Sequence, residues 1–195
     1  MRPQERLEEP AALRDGANKW AETWVRNQAE GKSWRWPVKD GLPINQLILE
    51  PLRKQTASHC SFCDGFPVAA LSVETIEHFY PKSSFPEKAF EWRNLFYCCT
   101  RCQAAKKERF DIGILKPDET DYDFRRYFTC DYTTGEIGPN PTAGPDDQQR
   151  AQTTIEHYKL NDGILPGERR RWLQFRQHDR SGAELDDFAY RDFLS

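Results

Sequence analysis

Two cysteine pairs constrain this chain more than any other feature. They are Cys60-Ser-Phe-Cys63 and Cys99-Thr-Arg-Cys102, with 35 residues between them. Each Cys-x-x-Cys can turn both thiolates toward one ion, and two such knuckles complete a tetrahedral all-sulfur site that suits Zn²⁺. A site of this kind supplies about 10–16 kcal/mol of apparent folding energy in small peptides. That matters in a chain that is 30% charged with a mean hydropathy of −0.86. Cys98 adjoins Cys99 and offers a rival register; Cys99 with Cys102 repeats the two-residue gap of the first pair and is preferred. Cys130 stands alone and reads as a buried thiol. Met1 to Pro10 is charged and has no apolar stretch of a secretory leader, and no run of about 18 apolar residues suggests a membrane span. The expectation is a cytoplasmic chain, where paired cysteines mean metal rather than disulfides. A redox role for the pairs is the rival reading, and two pairs at this spacing argue against it.

The chain has 195 residues, of which 13 are Pro and 11 Gly, and its apolar volume is largely Trp, Tyr and Phe. Short elements around an aromatic core predict an α+β fold, with three regions: helical 1–57, a central 58–112 that carries the cysteines, and a loop-rich, helical 113–195. Leu13, Ala17, Trp20, Ala21, Trp24 and Val25 recur at helical spacing over 11–29. A second helix begins near Pro43 with the stripe Ile44, Leu47, Ile48, Leu52, and Pro51 should kink or divide it. Residues 68–80 read as a β-arm built on Val68, Leu71, Val73 and Ile76, with Trp92 to Cys98 returning. Arg101 to Arg109 reads as a short helix, 135–145 as loop, and 151–160 and 168–177 as helices. The tryptophans of Trp34-Arg35-Trp36-Pro37 are read as core packing in preference to base stacking.

The chemistry lies between the knuckles. Glu77-His78-Phe79-Tyr80-Pro81-Lys82 sets a carboxylate beside an imidazole at a strand end. Neighbours on a strand face opposite ways, so both reach one place only if the strand ends or bends there; Pro81 supplies a break. Phosphodiester hydrolysis needs a base, a cation and something to orient the base. His78 suits the first task, Glu77 and an amide oxygen can hold Mg²⁺ or Mn²⁺, and Asn94 could orient the imidazole. Lys82, Lys106 and Lys107 could meet phosphates. Residues 53–110 hold nine Lys and Arg against six Asp and Glu, whereas 111–195 hold eleven against seventeen. The whole chain is at −3, so weak autonomous binding to nucleic acid is expected, with a partner delivering the substrate.

The order Cys-x-x-Cys, Glu-His-x-x-Pro-Lys, Trp-x-Asn-Leu, Cys-x-x-Cys, Lys resembles the zinc-containing HNH endonucleases. The resemblance implies a ββα-metal core with a four-cysteine zinc site set among flanking helices. It makes Glu77 a ligand of the catalytic metal, His78 the general base, and Asn94 the middle Asn. The family's last ligand, Asn or His after the final cysteine, falls on Gln103, one methylene longer than Asn. The N-terminal Met1-Arg2-Pro3 with Pro10 and Leu13, Glu77 to Lys82, Cys98-Cys99, Leu115 to Asp118, Tyr127-Phe128, Gly135 to Ile137, Ala151 to Asn161 and Arg169 to Arg171 resemble the HNH subunit of Septu-type and retron-associated anti-phage systems. That likeness implies an ABC-type ATPase partner, antiviral defence, and nucleic acid, first of all double-stranded DNA, as substrate; RNA including tRNA stays open.

Two functions of different class follow: a metal-dependent nuclease, and a zinc-stapled binding module that serves the ATPase complex without cutting. Gln103 keeps the second open. His59 is read as a bystander to the zinc, and His157 and His178 as structural or exposed. Arg169-Arg170-Arg171 is read as a solvated helix face. The acidic aromatic tail from Glu184 to Ser195 can dock on a partner or pack on its own domain.

Overall fold

The computed structural model describes residues 1–195, leaving aside the side chain of Leu71. In chain order the elements are α1 (Ala11–Arg14), α2 (Ala17–Ala29), β1 (Val38–Lys39), β2 (Leu42–Pro43), α3 (Ile44–Gln55), α4 (Val68–Leu71), β3 (Glu74–His78), β4 (Leu95–Cys99), α5 (Thr100–Lys106), α6 (Phe124–Tyr127), β5 (Phe128–Cys130), β6 (Ile137–Pro139), α7 (Pro145–Tyr158), α8 (Leu165–His178) and α9 (Arg191–Leu194). The strands form three two-stranded antiparallel sheets, β1–β2, β3–β4 and β5–β6. The fold is therefore α+β, as the sequence predicts. No described helix is long and apolar enough to cross a membrane.

The central unit is β3 and β4 followed without a loop by α5. The register pairs Glu74 with Cys99, Ile76 with Tyr97 and His78 with Leu95. Helices α3 and α5 both pack on this hairpin, and α7 packs on α5. Beneath it lies an aromatic core in which Phe62 stacks on Tyr158 at 4.0 Å and meets Phe96 at 5.6 Å. The N-terminal arm is bolted to β4 by Arg6, which bonds the carbonyl of Leu95 (2.7 Å) and Asp118 (2.7 Å) and lies over the Phe96 ring.

Several expectations change. The helix over 11–29 breaks at Asp15-Gly16, because the Trp20 ring lies where a Cβ on Gly16 would be, at 2.4 Å. Helix α3 runs undivided through Pro51, held by buried Ile48 and Leu52 on either side. The β-arm is shorter than expected: Val68 opens a helical turn behind Pro67, Val73 is exposed, and pairing starts only at Glu74. Trp92–Asn94 is a 3₁₀ turn, so the return strand starts at Leu95. Residues 135–145 are not all loop. Gly135 turns the chain at φ +83°, where a Cβ would also strike the Pro166 carbonyl at 2.0 Å, and so lets Ile137 enter the core as β6. The tail packs on its own chain, as its aromatic residues allow: Phe188, Tyr190 and Phe193 are buried.

Candidate metal centre and the Glu77-His78 cleft

The sulfur atoms of Cys60, Cys63, Cys99 and Cys102 all lie within 4.8 Å of one another, and all four residues are buried. The Cys63 and Cys99 sulfurs are 3.8 Å apart. That is far too long for a disulfide, and it matches the edge of a tetrahedron with about 2.3 Å Zn–S bonds, about 3.8 Å. The donor set and its size therefore fit a tetrahedral metal such as zinc. The backbone N–H of Cys99 also points at the Cys60 sulfur, 3.5 Å away, a charge-assisted bond once that sulfur is a thiolate. Hydrogen bonds from Cys102, then Cys60 and Cys63, pull the Cys99 thiol far below the usual range.

Cys98 is not one of the four mutually close sulfurs: it is buried beside them, and its thiol donates to the Cys99 carbonyl at 3.2 Å. His59 is no ligand either. Its ring stacks on Phe66, with Nδ1 near the Ala57 carbonyl (2.7 Å) and Nε2 near the Phe188 carbonyl (2.9 Å). It ties the first knuckle to the C-terminal tail, as does Asp64, whose carboxylate takes Arg191 Nη2 at 2.6 Å and the Arg191 backbone N–H at 2.7 Å.

Cys99 pairs with the first residue of β3 and His78 is its last. At about 3.3 Å per residue, metal and imidazole sit about 13 Å apart along the strand. The ladder stays regular through His78, so Glu77 and His78 project to opposite faces. The bend that would merge them is not made within β3.

Glu77 faces α5. It is 4% exposed, and its Oε1 accepts from Lys106 Nζ at 2.8 Å. Lys106 is fully buried and also donates to the His78 carbonyl at 2.9 Å. Burial pushes the Glu77 carboxyl up to about 7, against the pull of Lys106. Lys106 is therefore not a surface contact for phosphates, as the sequence suggested. Its spacing held the signal: four residues after Cys102, it shares that residue's inward face of α5. Lys107, one step on, is exposed. Lys82 is partly exposed and paired with Glu108.

His78 faces the N-terminal arm. Its Nε2–H donates to the Ala89 carbonyl at 3.0 Å, which leaves Nδ1 as the lone-pair nitrogen. Trp36 stacks on the ring with centroids 5.5 Å apart, and Trp34 meets it edge-on at 5.4 Å. Burial, then the positive charge of Lys82, pulls the imidazole down to about 3, so it is neutral at physiological pH. The tryptophan link and the Ala89 carbonyl are neighbours that sequence reading missed, because neither carries a spacing relation to His78.

Asn94 is buried and acts on backbone, not on the imidazole. Its Oδ1 takes the Tyr80 N–H at 2.7 Å, and its Nδ2 donates to the carbonyls of Tyr80 (3.0 Å) and Lys88 (2.9 Å). It thereby closes the loop between β3 and β4 that presents Ala89 to His78. Gln103 donates from Nε2 to the Ile76 carbonyl at 3.0 Å. Gln103 Oε1 and Glu77 Oε2 accept no hydrogen bond among the described residues, and each is a hard oxygen donor of the kind that Mg²⁺ or Mn²⁺ takes.

Comparison with protein-family models finds no match to this chain, and comparison with curated proteins finds none either.

Proposed function

We propose that this chain is a metal-dependent endonuclease of the HNH type, with β3, β4 and α5 as its ββα-metal core. We read it as the effector nuclease of an anti-phage complex with an ABC-type ATPase. The observation that carries the reading is the setting of His78: an imidazole at a strand end with its Nε2–H fixed by the Ala89 carbonyl, which leaves Nδ1 to accept a proton. A general base needs its lone pair held at one angle, and the loop clasped by Asn94 does that. Nδ1 would take the proton of the attacking water. Glu77 and Gln103 would hold the divalent cation, which would supply charge stabilisation to the phosphate and the leaving oxygen once the end of β3 bends so that Glu77 and His78 share one site. The four cysteines hold structural zinc and keep β3 and α5 in register. Nucleic acid, first of all duplex DNA, is the proposed substrate.

A second reading has its own observation. Lys106 already satisfies Glu77, and Trp36 covers His78, which leaves the imidazole 7% exposed. A chain so arranged could serve as a zinc-stapled binding subunit of the ATPase complex. One experiment separates the two: incubate the pure protein with plasmid and Mg²⁺ or Mn²⁺, with and without an ABC-type ATPase encoded beside it, next to His78→Ala. Nicking by the wild type that His78→Ala lacks supports catalysis. Equal nicking by both, or none under any condition, rules it out.

A further inference from the structure

A groove of about 500 Å³ opens beside His78, between α2 and the 33–37 link. Its volume falls within the range of about 300–1,000 Å³ typical of small-ligand clefts. Three indoles, those of Trp20, Trp24 and Trp36, line it together with Phe90. Lys32 and Arg35 stand at its edge, and no acidic side chain lines it. Lys32 is held by Glu30 at 2.5 Å, whereas Arg35 is exposed and makes no ion pair among the described residues.

The rings are not all used in the same way. Trp24 is nearly buried, and its indole N–H donates to the Lys82 carbonyl at 2.9 Å, which ties α2 to the loop after His78. Trp34 is the ring spent on packing: it stacks on Phe90 at 5.3 Å and stands against Trp24 at 4.9 Å. Trp20 and Trp36 are only half-buried, and their indole N–H groups donate to no protein group among the described residues. Trp36 is also the ring that stacks on His78. Trp36 thus touches both the groove and the imidazole.

Half-buried rings, Trp20 edge-on to Phe90 and Trp36 with one face on His78, beside an unpaired guanidinium suit a planar base joined to a phosphate. A paired base keeps its faces in the stack and cannot enter such a cleft, so the ligand must be unpaired or turned out of the duplex. We propose that this groove is a stacking pocket for an unpaired base of the nucleic-acid strand, with Arg35 meeting the adjoining phosphate. The proposal rests on the reading of His78 as a nuclease residue, since it names what that site's substrate presents to the protein. The sequence-based preference for packing at Trp34 and Trp36 agrees with their contacts to the core; the proposal adds base stacking at Trp36, together with Trp20.

Binding of the zinc-loaded full chain is measured without added Mg²⁺ or Mn²⁺, so the result is independent of hydrolysis. The probes are a short oligothymidylate and an abasic oligonucleotide of equal length and charge. Stacking of one base on an aromatic ring corresponds to roughly 5- to 150-fold in affinity. The oligothymidylate is therefore expected to bind at least about five-fold more tightly and to quench tryptophan fluorescence, which the abasic chain leaves unchanged. Arg35→Glu is expected to weaken both probes. Trp20→Leu, with its helical circular dichroism retained, is expected to abolish the difference between them. Equal affinity for the two probes, no binding of either, or a folded Trp20→Leu that keeps the full preference would overturn the proposal. If Trp20→Leu does not fold, the comparison of the two probes on the wild type still decides. A failed nuclease reading shows instead as absent plasmid nicking, with this binding difference intact.

Discussion

Replacing Glu77 by glutamine tests which force governs the cleft, burial or the ion pair with Lys106. The carboxyl titrates at about 7 in the fold and at its ordinary 4.5 in the unfolded chain. The fold thus keeps a proton that the unfolded chain has released, and the associated stability is present below about pH 4.5 and lost as pH rises through 7. Linkage between those two values gives a loss of about 1 kcal/mol at pH 5 and about 3 kcal/mol at pH 8. The amide introduced by Glu77→Gln keeps an oxygen for Lys106 but cannot ionise. Glu77→Gln should therefore gain about 2–3 kcal/mol on the wild type between pH 5 and pH 8. His78, held down near 3, acts with the opposite sign, losing stability as pH falls below its ordinary 6.5. It does so in both proteins, as does any zinc released in acid, and both effects cancel in the difference. The assay is urea unfolding of both zinc-saturated proteins across that range, without Mg²⁺ or Mn²⁺. A difference flat to within about 0.5 kcal/mol, or a Glu77→Gln protein that loses ground as pH rises, would refute the argument. The second outcome would mean that the ion pair outweighs desolvation.

Lys106→Met leaves the His78 carbonyl without its donor and should cost about 2–3 kcal/mol in urea unfolding, whereas Lys107→Met should stay within about 0.5 kcal/mol. Cys60→Ser should lose the bound zinc and with it the cooperative unfolding transition, read by metal analysis and calorimetry; full zinc content in that variant would remove Cys60 from the ligand set. Arg191→Ala strips the buried Asp64 carboxylate of its guanidinium and should cost about 3 kcal/mol in urea unfolding. It should also release zinc to a chelator sooner than the wild type, since Asp64 follows Cys63 directly.

What the sequence makes legible here depends on how local the governing physics is. The four-cysteine cluster is legible because a thiolate pair separated by two residues can close on one ion without help from the rest of the chain. Even the choice of Cys99 over Cys98 follows from the two-residue gap. Helices α2, α7 and α8 are legible from apolar spacing, though their ends depend on contacts such as Trp20 over Gly16 that no periodicity reveals. Strand β6 is hidden because its flanking Pro and Gly read as loop; it forms only because Phe128–Cys130 lies ready to pair with it. The cleft shows the limit most clearly. Glu77 and His78 stand side by side in sequence, yet regular pairing through Leu95 turns them to opposite faces, and Lys106 touches both residues, one through its carboxylate and one through its carbonyl. That lysine reads as a phosphate contact when taken as one of a basic run. It reads as internal once the i,i+4 step from Cys102 is followed, because a helix that must turn a ligand inward carries its neighbour four residues on to the same side. The inward-facing cysteines therefore determine which of the adjacent lysines, Lys106 or Lys107, is withdrawn from solvent, and so which charge Glu77 meets.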